Sequence, residues 1–315
     1  MIPKIIHQTW KCKEIPPIFK KYQQWEEKMP DWEILLWTDD ENESLVKNHF
    51  PWFYDTYKSL EFKIQKVDAI RYCYLYKYGG IYADLDIECI NSLDKFIEMA
   101  ERKEIDIAYD NLLYNAHIHT PGIILSEEWL FSSDYNITQK YYSAGKKEPT
   151  PTISNSIMIS EKNHPFWLIC LHQIMEDKNE NYINIEDFEN FKSFEKIFRT
   201  TGPNFLYNTY QKYKNNFTNI VIIPHYYLQC CALLFQDENK LNKIKSYAED
   251  SIIDNYFFPH HKIKKEILFQ ILDTRNLRWR FFKIDDKIKN SSFYKYIFTI
   301  HYSTKSWEEA KEMKK

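Results

Sequence analysis

The segment Tyr78-Gly79-Gly80-Ile81-Tyr82-Ala83-Asp84-Leu85-Asp86-Ile87-Glu88 constrains the fold more than any other stretch of the chain. A helical pattern runs up to Tyr78, a Gly-Gly break follows, and a short apolar strand leads into two carboxylates spaced i, i+2. Gly79 fits the left-handed position that closes a helix. Alternate residues of an extended chain point to one side, which puts Asp84 and Asp86 on the same side, roughly 6–7 Å apart at Cα by strand rise. Two acids that close repel unless a cation or a shared proton lies between them. A hard divalent ion that also holds a phosphate suits such a pair. Carboxylates at the carboxyl end of an α/β strand lie where ligands bind in open sheets.

The remaining pattern alternates strands with helices. Strands are expected at Lys4–His7, Trp32–Trp37, 81–84, 105–109, 122–125, 153–159 and 219–223. Helices are expected from Pro17 to about Lys28, near 41–48 and over 61–78. Such alternation predicts an α/β fold with a mainly parallel central sheet covered by helices on both faces. With 315 residues, 44% of them hydrophobic and 17% aromatic, the chain can bury a large core as one domain, 1–315. Only 5 Gly and 12 Pro exclude collagenous and low-complexity classes. A polar stretch at about 178–200 reads as an insertion or lid.

A net charge of −3 gives no case for nucleic-acid binding. The charge is uneven, since residues 262–315 carry 14 Lys+Arg against 7 Asp+Glu. There Arg278-Trp279-Arg280-Phe281-Phe282-Lys283 interleaves cations with aromatics, as a half-buried element with a solvated edge or a peripheral membrane contact does. Cys12, Cys73, Cys89, Cys170, Cys230 and Cys231 show no metal spacing and read as core thiols of a reducing compartment. With no signal-peptide pattern and no apolar run long enough for a bilayer, a cytoplasmic chain, soluble or peripheral, is expected.

Other residues gather around the acid pair. Asp68 and Arg71 are i, i+3 neighbours on the helix before it, either a structural salt bridge or a pair in which Asp accepts sugar hydroxyls and Arg holds phosphate. His7-Gln8-Thr9-Trp10 ends the first strand, where a base or sugar ring could stack on the indole or the indole could simply be core. Asn155 either contacts an acceptor or caps a turn. Thr201-Gly202-Pro203-Asn204 reads as a loop and helix start with Pro203 at the first helical position. His301 can complete a mixed carboxylate/imidazole site for Mn²⁺.

Taken in order, Ile2–Trp10, Leu36–Asp39, Asp68–Tyr72, Tyr78–Asp86, Asn155 with His164-Pro165-Phe166, Thr201–Pro203, and His301 with Ser306-Trp307 resemble the DxD-containing glycosyltransferases of family 32. That group includes the inositol-phosphorylceramide mannosyltransferases, and its sheet-edge plan is similar to that of the glucosyltransferase domain of large clostridial toxins. The resemblance runs from residue 1 to about 307. It implies a GT-A, Rossmann-like fold, a nucleotide-sugar donor (a UDP- or GDP-sugar), Mn²⁺ or Mg²⁺, retention at the anomeric carbon, and a glycan, lipid or protein acceptor. By position it assigns Asp86 directly to the metal, and Asp84 to the metal through water or to the ribose and sugar. It gives the donor sugar to Asp68 and Arg71, the sugar-phosphate lining to Tyr82, and the third metal position to His301. Ser306 and Trp307 close over the diphosphate, and His7, Gln8, Thr9 and Trp10 border the nucleotide. Ser303-Thr304-Lys305 before Ser306 departs from the common pattern and puts a lysine within reach of the diphosphate. Front-face attack, with the leaving phosphate taking the acceptor proton, is the mechanism expected. Two other classes stand against this reading: an Asp-dependent phosphoryl-transfer enzyme and a non-catalytic sugar-binding scaffold.

Overall fold

The structure, a computed structural model, describes residues 1–105, 107, 120–127, 153–179, 192–223, 225–231 and 297–301. Strand β1 (Ile5–Thr9) is followed by two short helices, α1 (Pro17–Lys20) and α2 (Trp25–Lys28), and strand β2 (Glu33–Trp37). Helices α3 (Asp39–His49), α4 (Pro51–Lys58) and α5 (Lys63–Lys77) lead into β3 (Gly80–Ala83) and β4 (Ile87–Cys89). Then come α6 (Leu93–Glu101), β5 (Ile123–Glu127), β6 (Ile153–Ser160), α7 (Pro165–Asn179), α8 (Lys192–Thr200) and α9 (Pro203–Tyr213). Strand β7 (Ile220–Ile223), the one-turn α10 (His225–Leu228), β8 (Cys230–Cys231) and β9 (Thr299–His301) complete the described residues.

The main sheet has the order β2-β1-β3-β6-β5-β7. Pairs β1–β2, β1–β3 and β5–β7 are parallel, whereas β6 runs antiparallel to both β3 and β5. Five strands therefore share one direction and β6 opposes them. The expected mainly parallel α/β sheet, helices on both faces, is the one observed. One face packs Ile6, Ile81, Ile124 and Val221 against Trp25, Phe96 and Phe298. The other packs Tyr82, Leu125, Met158 and Ile222 against α3, α4, α5, α7 and α9. On that second face α5 is enclosed, with every residue from Asp68 to Leu75 buried. A helix hydrophobic nearly all round belongs in such an interior, so the two charges it carries there, Asp68 and Arg71, must be satisfied by protein groups.

The turn from α5 into β3 sets the position of everything after it. The Gly79 N–H reaches the Leu75 carbonyl at 3.1 Å, and Gly79 and Gly80 have φ of +68° and +91°. A Cβ on Gly80 would lie 2.3 Å from the Ile5 carbonyl oxygen, so only glycine lets β3 enter beside β1. A second, three-stranded sheet, β4-β9-β8, pairs Ile87 with His301. It carries the late segment 297–301 to the acid turn, and Ile297, Phe298 and Ile300 are buried in the core.

The sequence reading differs from the structure in several places. The helix expected from Pro17 to Lys28 breaks at Tyr22–Gln24, where the Gln23 amide donates to the Leu85 carbonyl at 2.9 Å and Phe19 and Tyr22 pack on Leu85. A continuous helix cannot turn these side chains to the acid loop and Trp25 to the other core. Helix α4, begun by Pro51 at its first turn, was not anticipated. Ile105 and Ile107 are not in a strand, and the rest of the expected strand 105–109 lies outside the described residues. Within the stretch read as a lid, 192–200 is helix α8, packed on α5, α7 and α9, while 180–191 lies outside. Cys73, Cys89 and Cys170 are buried as core thiols, but Cys12 is exposed. The basic aromatic segment around Arg278–Lys283 also lies outside the described residues. Among those described, no helix is long and apolar enough to cross a membrane.

Candidate active site

Three parts of the chain meet at the carboxyl end of β3. The first is α5. One turn of helix separates Asp68 from Arg71, and their side chains meet at 3.3 Å. The Arg71 guanidinium continues to Asp84 Oδ1 at 3.2 Å, donates to the Asn155 carbonyl at 2.7 Å, and lies 4.7 Å from the centre of the Tyr82 ring. Asp68 accepts from the Asn155 amide at 3.0 Å on one oxygen and from the Thr201 hydroxyl at 3.0 Å on the other. Burial pushes the Asp68 carboxyl up to about 6 against the pull of Arg71 and its hydrogen bonds. Burial works against the Arg71 charge as well, but Asp84, Tyr82 and Asp68 around it keep it firmly protonated.

The second part is the acid loop. Asp84 lies just beyond β3, and Leu85 and Asp86 form a turn closed by the Ile87 N–H on the Asp84 carbonyl at 3.0 Å. The pair is therefore not on an extended strand, as the spacing suggested. The turn keeps Leu85 packed inward on Phe19 and Tyr22 and brings the acids together at the sheet edge. The Asp84 N–H donates to the Ser156 carbonyl at 2.8 Å, and Asp84 Oδ1 accepts from the Tyr82 hydroxyl at 2.5 Å. The Asp84 carboxyl is raised by burial, opposed by Arg71 and raised further by Asp86.

The third part is β9. Its pairing with β4 places His301 Nε2 3.6 Å from Asp86 Oδ1. One ligand atom from each of Asp84, Asp86 and His301 can be chosen so that all lie within 4.8 Å of one another. Two carboxylates and an imidazole suit Mn²⁺ or Mg²⁺, and opposite ligands of such an ion stand roughly 4 Å apart. The residues present thus fit a divalent cation.

The other predicted residues divide. His7 is buried; its Nε2 donates to the Gly79 carbonyl at 2.9 Å and its Nδ1 accepts from the Trp37 indole at 3.1 Å. Burial lowers it to about 4, partly offset by that carbonyl, so it is neutral and both its nitrogens are engaged within the fold. Thr9 donates to the Trp37 carbonyl at 3.1 Å and accepts from Asn42 at 2.9 Å, and is likewise engaged inside the protein. Gln8 and Trp10 differ: the Gln8 amide nitrogen and the Trp10 indole nitrogen are buried with no hydrogen-bond partner among the described residues. Unsatisfied buried donors of this kind are what a polar ligand would satisfy. Asn155, read as an acceptor contact or turn cap, is instead a buried strut between Asp68 and Arg71. Tyr82 is buried and meets the site through its hydroxyl on Asp84 and its ring under the Arg71 guanidinium. Ser306 and Trp307 lie outside the described residues.

Sequence reasoning missed Ser156 and Gln229 and saw Thr201 only as part of a loop. Gln229 accepts at 2.9 Å from His301 Nδ1 and donates at 2.6 Å to Ser156. A single amide inside the apolar run 220–235 was the available signal. Thr201 owes its place to the α8–α9 corner, where its N–H and that of Gly202 both reach the Ile197 carbonyl. Pro203 does begin α9, as expected.

Known proteins are similar to this chain in sequence. Residues 18–103 match the glycosyltransferase sugar-binding region containing the DXD motif. The chain is 31% identical to the mannosyl phosphorylinositol ceramide synthase CSH1 of Saccharomyces cerevisiae over 216 residues, 68% of this chain and 44% of that protein. It is 45% identical over 97 residues, 30% of this chain, to the inositol phosphoceramide mannosyltransferase 3 of Schizosaccharomyces pombe, covering 27% of that protein. The chain thus spans about half or less of the length of these relatives. Among solved structures, the PaToxG glycosyltransferase aligns at 14% identity and a TM-score of 0.42 over 84% of this chain and 82% of its own. The stretch matched to the sugar-binding region holds Asp68, Arg71, Tyr82, Asp84 and Asp86, and over it the chain is similar to the DXD-containing glycosyltransferases.

Proposed function

We propose that residues 1–315 form one catalytic domain that transfers a hexosyl unit, of which mannosyl is the first to test, from a UDP- or GDP-sugar to an acceptor hydroxyl on a glycan or lipid. The observation that carries this reading is the contact of two charged groups at one sheet edge. The Asp84–Asp86–His301 cluster adjoins the buried Asp68–Arg71 pair through Asp84, which belongs to both. The names of the relatives, synthases and mannosyltransferases of inositol phosphoceramides, favour mannose and a lipid acceptor.

In this reading Asp84, Asp86 and His301 hold a divalent cation. When bound, that cation supplies Lewis-acid stabilisation of the charge that develops on the departing diphosphate. The chain's own residues do the rest. Arg71, held protonated by the acids around it, keeps a fixed positive charge beside Asp84 where the phosphate must sit. Asp68 uses one oxygen for Asn155 and Arg71 and the other for Thr201. A carboxylate has about four lone-pair sites, so one stays available for a sugar hydroxyl. A carboxylate so engaged is a poor covalent nucleophile, which supports front-face attack with retention and transfer of the acceptor proton to the leaving phosphate. Gln8 and Trp10, with their unsatisfied donors, border the nucleotide.

The deciding experiment is a screen of UDP- and GDP-sugars for Mn²⁺-dependent hydrolysis and transfer, with Asp86→Ala as control. Turnover of GDP-mannose that disappears in Asp86→Ala is expected. No binding or hydrolysis of any nucleotide-sugar with Mn²⁺ present overturns the reading.

A further inference from the structure

Behind His301 lies a buried polar chain that the proposed chemistry does not use. Gln229, just before β8, is 1% exposed. Its carboxamide oxygen accepts from His301 Nδ1 at 2.9 Å, and its amide nitrogen donates to Ser156 Oγ at 2.6 Å. Ser156 Oγ lies 3.0 Å from Ser154 Oγ, and the Ser156 carbonyl accepts the Asp84 N–H at 2.8 Å. Ser154 and Ser156 are themselves buried. An amide at the end of such a chain is held by its bonds rather than by shape alone.

We propose that Gln229 is a positioning residue that fixes the tautomer of His301. A neutral imidazole carries one N–H and one lone pair. A carboxamide oxygen only accepts, so it holds the hydrogen on Nδ1 and leaves the Nε2 lone pair facing Asp86. A histidine that serves a cation needs the lone pair on that side, and the partner of its other nitrogen sets ring orientation and basicity. Ser156 links this control to the acid loop: its hydroxyl anchors Gln229 and its carbonyl anchors Asp84, so one residue of β6 aligns the imidazole and the first acid together. The inference rests on reading Asp84, Asp86 and His301 as cation ligands, but its first measurement needs neither metal nor sugar.

The test is made on the full chain labelled with nitrogen-15 histidine, metal-free and at about pH 8, above the ordinary histidine range. Two-bond proton–nitrogen correlations report the tautomer, and His301→Asn identifies the His301 signals by their loss. The Nδ1–H form is expected in the wild-type chain and in Gln229→Glu, whose carboxylate also only accepts. Gln229→Leu is expected to lose that preference and to bind Mn²⁺, followed by electron paramagnetic resonance, about 10–100-fold more weakly. Should Gln229→Leu fail to fold, Ser156→Ala, which frees the amide but leaves it in place, is expected to weaken Mn²⁺ several-fold and to blur the tautomer signal. An Nε2–H form in the wild-type chain overturns the proposal, as does a wild-type tautomer with wild-type Mn²⁺ affinity in folded Gln229→Leu or Ser156→Ala. Absence of Mn²⁺ binding by a wild-type chain that keeps the Nδ1–H form supports the tautomer assignment and counts against the cation-site reading.

Discussion

Asp68 and Asp86 are carboxylates of one site held in opposite ways. Asp68 is gripped by Arg71, Asn155 and Thr201 at 3.0–3.3 Å and is buried. Asp86 faces His301 at 3.6 Å, beyond hydrogen-bond range, in a cluster whose ligand atoms fit within 4.8 Å. The first geometry is completed by the protein alone. The second has the spacing of groups arranged around something between them. Asp84, joined to Arg71 on one side and to the cluster on the other, is where they meet. On the proposed reading, half of this site is built by folding and half is completed by a ligand.

Mutations at the two acids separate these roles. Asp86→Ala is expected to lower sugar transfer about 10³-fold, the upper range for removing one electrostatic stabiliser, while costing less stability than Asp68→Ala. Asp68→Ala is expected to cost transfer and also roughly 3–5 kcal/mol of stability, because Arg71 loses a buried partner. Equal destabilisation by both substitutions, measured by urea unfolding, breaks the comparison.

The pH response sharpens it. His7 has a folded value of about 4 against 6.5 for the free side chain, so between these values the unfolded chain binds more protons. Its contribution to stability is complete above about pH 6.5 and is lost as pH falls towards 4, in total roughly 3 kcal/mol at 1.36 kcal/mol per unit. Asp68 acts in the opposite sense, since its folded value of about 6 exceeds 3.8, and stability from it declines as pH rises across that window. His7→Gln is therefore expected to remove the acid-side loss and expose the Asp68 trend, read from unfolding midpoints between pH 4 and 7. Transfer itself is expected to fall below about pH 6 as Asp68 protonates. A smaller effect is expected of Thr201→Val, about 1–3 kcal/mol for an unsatisfied buried carboxylate oxygen, with a proportionate loss in donor affinity rather than in Mn²⁺ binding. If Thr201→Val instead weakens Mn²⁺, the two halves are not separable.

Much of this was legible in the sequence because local rules govern it. The Gly79–Gly80 break needs positive φ, the i, i+3 spacing brings Asp68 to Arg71, and strand–helix alternation yields the sheet. The acid pair was recognised, yet its geometry was not, since Leu85 turns inward on Phe19 and Tyr22 and converts a strand end into a turn. Long-range partners were the least visible. Nothing local to Thr201 or Gln229 announces that each will meet a group more than 70 residues away. The partners of His7 were hidden for a similar reason: Trp37 and Gly79, which take its two nitrogens, are brought to it by sheet pairing and a helix cap.

Strand β6 gives the site a particular vulnerability to changes in length. Asn155 braces Asp68 and Arg71, while its neighbour Ser156 braces Gln229 and the backbone of Asp84. Because side chains alternate along a strand, a slip of one residue exchanges what each position presents. A single-residue insertion or deletion between Ile153 and Asn155 is thus two lesions at once, disarming the sugar-side pair and the imidazole together. A point substitution at either residue leaves the other half standing.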